Sequence, residues 1–76
     1  MEFKKYIRLN FAEMHKYDPN NVYPKEFMDR VSISEVDKLN GSPKEGDMIA
    51  RNPNNHDDVW LVAEDYFKQN FKEYIE

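Results

Sequence analysis

The 76-residue chain carries fifteen acidic and eleven basic side chains, a formal net charge of -4, and no cysteine. That rules out a disulfide framework and a thiolate metal site, and it argues against nucleic acid as a partner, because phosphate contacts supply most of a duplex binder's affinity. Lys4, Lys5 and Arg8 form the only basic cluster, and the acids alternate with lysines as on an ordinary solvated surface rather than a DNA mimic.

One domain spanning residues 1–76 is expected. Its core must be thin, since a chain of this size buries only roughly 60% of its unfolded surface. Five Tyr, five Phe and one Trp are the natural source of that core. The N-terminus M-E-F-K-K-Y lacks an apolar signal-peptide core, and no apolar run approaches the roughly 20 residues of a membrane span. The expectation is a soluble, intracellular protein with no membrane contact.

Residues 3 to 11 alternate, with Phe3, Ile7, Leu9 and Phe11 on one parity and Lys4, Arg8 and Asn10 on the other. Period two predicts a strand with one face in the core, and Lys5 is the residue that breaks the pattern. Tyr17-Asp18-Pro19-Asn20-Asn21 reads as turn. Pro24 then opens a helix of about two turns, with Phe27, Met28 and Val31 on one face. Residues 31 to 33 read as a short strand, followed by a turn or a single helical turn. Ser32 and Glu35 have capping-box spacing, and Asn40-Gly41 suits a helix end.

Residues 47 to 52 and 58 to 63 predict a β-hairpin around the polar insert N-P-N-N-H-D-D. Val59-Trp60-Leu61-Val62-Ala63 is apolar on both parities, the pattern of a central strand covered on both faces. Residues 64 to 75 predict an amphipathic helix, with Phe67, Phe71, Tyr74 and Ile75 at helical spacing and Phe67 and Phe71 buried against the hairpin. The fold class that follows is α+β: a small antiparallel sheet of three to four strands, with the C-terminal helix packed on one face.

Chemistry is hard to place on this chain. His56, Asp57 and Asp58 could be metal ligands, but three adjacent loop residues with no second cluster are better explained as a hairpin tip, where Asn and Asp bond the turn's own amides. Ser32 and Ser34 have no histidine nearby to activate them. Gly41 and Gly46 are the only glycines, so no loop cradles phosphate. Tyr66, Phe67, Phe71 and Tyr74 could be called a stacking platform, yet at helical spacing they read as core. No catalytic residue, cofactor or metal is expected, and the chain reads as a non-enzyme.

The stretches V-S-I-S at 31 to 34 and G-D-M-I-A-R-N-P-N-N-H-D-D-V-W-L-V-A-E-D-Y-F-K-Q-N-F at 46 to 71 resemble a group of small tailed-bacteriophage proteins of unknown function. The opening F-K-K-Y-I-R is similar to that group's N-terminus, while residues 12 to 30 depart from its pattern. The resemblance implies a phage accessory protein acting in the host bacterial cytoplasm, and it carries no catalytic residues. Two classes of function follow. One is a binding module for a host protein, with Trp60 at a host-partner or self-association interface beside Ile49 and Arg51, whereas Arg51, Asn52 and Trp60 would build an inter-subunit ligand site in the second class. The other is an oligomeric small-ligand or sequestering protein, with a structural virion component as a lesser option; Trp60 as simple core is the competing reading.

Overall fold

The computed structural model of the chain describes residues 1–7 and 10–75. In chain order come β1 (Glu13–Lys16), α1 (Lys25–Arg30), α2 (Glu35–Leu39), β2 (Met48–Asn52), β3 (Asn55–Val62) and α3 (Glu64–Asn70). The three strands form one antiparallel sheet in the order β1-β2-β3. The fold is α+β, with a C-terminal helix following the strands.

The hairpin β2–β3 is the local nucleus of the sheet. Its turn is only Pro53-Asn54, because β3 starts at Asn55 and takes the polar residues His56, Asp57 and Asp58 into the strand. Asn52 Oδ1 accepts from the N–H of Asn54, and Asn55 Oδ1 accepts from that of Asp57. These side-chain bonds shape the turn without left-handed backbone: among the described residues no non-glycine has positive φ. The ladder shifts register between Arg51 and Asn52, which places the extra residues of β3 opposite this bulge.

Pairing sets the two sheet faces. Glu13, Arg51 and Val59 form one cross-strand row and His15, Ile49 and Leu61 the next, so these six share a face. Met14, Ala50 and Trp60 form a row on the opposite face, together with Met48 and Val62. The core lies on the first face. Val31, Ile49, Val59 and Leu61 are buried there, with Phe27 and Met28 of α1, Tyr17, Tyr23 and Ile33 packed against them. Helix α1 forms where Pro24 predicts it, with Phe27 and Met28 packed on the core; Val31, expected on the same helical face, is instead the extended C-cap residue and enters the core from beyond the helix. It is this helix that is held on the core.

Two expected strands need correction. The alternating segment at residues 3 to 7 is not a strand, and residues 8 and 9 lie outside the described residues. The strand on that side is instead β1, whose E-M-H-K sequence hides its role because its core-facing residues, Glu13 and His15, are polar. The strand at 31 to 33 reduces to a parallel bridge: Ser32 donates its N–H to the Val59 carbonyl (3.1 Å) and accepts from Leu61 (2.9 Å). That bridge explains why Val59–Val62 reads as central. β3 is last in the ladder, yet its apolar half is hydrogen-bonded on both edges.

Helix α2 is the single turn expected after residue 33. Its cap is Ser34, whose hydroxyl accepts from Asp37 N–H at 3.1 Å. Gly41 follows its end with φ of 92°. Helix α3 stops at Asn70 rather than 75. The Asn70 amide donates to the Tyr66 carbonyl (2.9 Å), and Phe71 turns extended. No residue of α3 is fully buried, and Phe71 is 39% exposed, so it is not the core anchor that helical spacing suggested.

Candidate interaction surfaces

Among the described residues one polar side chain is fully buried, and it organises the loop before β2. Asp47 Oδ2 accepts from the Ser42 hydroxyl (2.7 Å) and the Lys44 N–H (3.0 Å), while Oδ1 accepts from the Glu64 N–H (3.3 Å). Its own N–H donates to the Lys44 carbonyl, and its carbonyl accepts from Tyr17 N–H just beyond β1. Each oxygen is therefore satisfied, which is the condition for keeping a carboxylate in the interior. Gly46 beside it has φ of 98°, and a Cβ there would run into the Glu64 carboxylate. The Gly-Asp pair is a clasp joining the 42–47 loop, β1 and α3. It is architecture rather than a reactive group.

On the sheet face away from α1 lies an open groove of about 500 Å³ between α2, β3 and α3. Half-buried Trp60 lies along it. Val36 of α2, Tyr66 of α3 and Phe71 just beyond it line the groove, with exposures of 66%, 59% and 39%. Tyr66 and Phe71 approach each other at 6.0 Å between ring centroids. Asp37 is the charged residue of the lining. Helix α2 is too short and α3 ends too early to close over Trp60, so apolar surface is left uncovered around it.

The opposite face has a larger cleft of about 660 Å³ under α1. Ile49 and Val59 contribute apolar floor, and Tyr23 stacks on Phe27 (6.1 Å, 18°) along one side, with His15 edge-on to Tyr23 (5.9 Å); Tyr17, outside the lining, stacks on Tyr23 (5.4 Å, 13°). The Tyr23 hydroxyl accepts from Asp18 N–H, which fixes the ring. Glu13, Glu26, Arg30 and Arg51 bring both signs of charge to the lining. Arg51 Nε donates to Glu13 Oε1 at 2.8 Å across the β1–β2 ladder.

The four residues grouped by sequence thus separate. Trp60 is on the groove side. Ile49 and Arg51 face the cleft, because their register places them in rows with His15 and Glu13. Ile49 is 3% exposed and serves as core. Asn52 belongs to the hairpin turn. The polar insert is mostly strand: His56 Nε2 stands 3.5 Å from Glu13 Oε1, and Asp57 and Asp58 are exposed. Among the described residues no three His, Asp or Glu side chains converge as a metal site. Tyr66 and Tyr74, read from spacing as core, are exposed, and Tyr74 packs on Phe11 at 4.7 Å.

Sequence reasoning missed Asp47 and Tyr23. Asp47 had one legible signal, an Asp directly after a glycine at the head of a strand; Tyr23 sat in a turn-rich stretch that offered none. No family model, curated protein or solved structure matches this chain.

Proposed function

We propose that the chain is a small non-catalytic binding module, a phage accessory protein that engages a host bacterial protein in the cytoplasm through the Trp60 groove. The observation that carries this reading is Trp60 lying half-buried between the uncovered side chains of Val36, Tyr66 and Phe71. Contiguous uncovered apolar surface on a small protein marks an interaction site, and Trp and Tyr dominate binding hot spots. The fitting partner segment is apolar with a basic neighbour to meet Asp37. The motifs G-D-M-I-A-R-N-P and W-L-V-A, with their likeness to small phage proteins, support the provenance.

The test compares tagged wild-type protein with Tyr66→Ser and Phe71→Ser in capture from bacterial lysate. Both positions are exposed, so the fold is kept. A host protein retained by the wild type and lost by both variants supports the groove. Equal capture by all three proteins overturns it.

The cleft under α1 favours a second reading, a small-ligand binder. Its apolar floor, aromatic side and converging charges have the character of a ligand pocket, and its volume lies in the usual range. Ligand-induced quenching or shift of tyrosine signals that disappears in Tyr23→Leu would support this alternative.

A further inference from the structure

Strand β1 has an open outer edge. It pairs with β2 on one side, and among the described residues no backbone group bonds the other. Upstream of it Phe3, Tyr6 and Ile7 stand open to solvent, at 91%, 87% and 84% exposed, while Phe11 next to β1 meets Tyr74. The radius of gyration is 14.1 Å with a long dimension of 46 Å, against roughly 11 Å for a compact chain of this length. Yet residues 3 to 11 have the alternation of a half-buried strand. A strand-patterned arm without a sheet, running towards a strand with a free edge, is a template for strand addition.

We propose that a second copy of this chain fills that edge, with the two β1 strands and their arms pairing antiparallel about a two-fold axis. Residues 10 to 12, which lead into β1, contain no glycine or proline to favour a tight reversal. The register is set by charge. Placing Lys5 of one copy opposite Glu13 of the other also sets Glu2 opposite Lys16, Phe3 opposite His15 and Ile7 opposite Phe11. Both charge pairs are complementary. Because antiparallel partners share a face, the arm's apolar parity falls on the Glu13–His15 side, the face that carries the core.

This register accounts for Lys5, the one charge on the apolar parity. Arg51 and His56 both approach Glu13 through Oε1, which leaves Oε2 to receive Lys5. The product is a continuous six-stranded sheet with an isologous interface, each arm covering the other copy's edge. The Trp60 groove, next to β3 at the far side of the sheet, stays available to another partner.

Sedimentation or light scattering from micromolar to millimolar concentration tests the proposal, using Glu2 and Lys16, neither of which is in an ion pair within its own chain among the described residues. The wild type is expected to dimerise. Glu2→Lys or Lys16→Glu alone should weaken the dimer roughly tenfold, since each change strikes two symmetric sites, and the double variant should recover it. Ile7→Asp should abolish it while leaving the circular dichroism of the folded body unchanged. A wild type that stays monomeric throughout overturns the proposal. So does a dimer that tolerates Ile7→Asp, or one whose paired charge reversals do not compensate.

Discussion

The Asp47 carboxylate accepts the backbone N–H of Glu64 at 3.3 Å, so a residue preceding β2 holds the first turn of the helix that follows β3. The same carboxylate holds Ser42 and Lys44. Asp47→Ala leaves three donors without their acceptor and is expected to destabilise by about 3 kcal/mol or more. Asp47→Asn keeps the volume but turns one acceptor oxygen into a donor, and should cost about half as much. Urea titration of both variants checks the order; a wild-type midpoint for Asp47→Ala would remove the clasp.

The two glycines make a matched pair of controls. Each has positive φ, so alanine at either should cost about 1–2 kcal/mol in backbone strain. At Gly41 a Cβ meets nothing, whereas at Gly46 it meets the Glu64 carboxylate. Gly46→Ala is therefore expected to be the more harmful, and a Glu64→Ala background should recover the difference. Additive effects in that double-mutant cycle would count against the contact.

Core placement makes a further contrast. Ile49→Ala removes a buried side chain and is expected to cost about 2–4 kcal/mol, lowering the melting temperature by at least 10 °C or so. Phe71→Ala, at a position 39% exposed, should cost well under the roughly 3–5 kcal/mol of a buried Phe. Thermal melts of the two variants give the comparison directly.

At the hairpin, Asn52→Ala removes the acceptor for Asn54 N–H and should cost about 1 kcal/mol. His56→Ala removes only an exposed partner of Glu13 and should change stability by no more than a few tenths. Calorimetric titration with zinc or calcium should give no signal in either protein; a signal lost on His56→Ala would make the insert a metal site.

What the sequence made legible was local. Pro24 and the Phe27-Met28 pair locate α1, and two apolar runs around Asn-Pro-Asn determine the hairpin. What escaped depends on partners distant in the chain. β1 shows no apolar stripe because its one apolar residue, Met14, lies on the face away from the core cluster, while Glu13 and His15 meet Arg51 and Tyr23 rather than oil. Asp47 is buried because Ser42, Lys44 and Glu64 converge on it. The side on which Trp60 falls was decided by ladder register, which alternation cannot assign when both parities are apolar. The end of α3 turned on one amide, that of Asn70, which bonds the Tyr66 carbonyl while the next residue turns extended.

The two sides of β2 close over very different lengths of chain. β3 joins it across two turn residues, whereas Glu13 must travel across 38 positions to reach Arg51. Loop-closure entropy therefore makes the hairpin the early event and β1 the late one. Paired along one edge only, β1 is also expected to have the lowest opening free energy in the sheet. In the monomer its amides should exchange with solvent first, releasing β1 as a unit while the hairpin and Ser32 bridge stay closed, whereas pairing with a second copy would protect them.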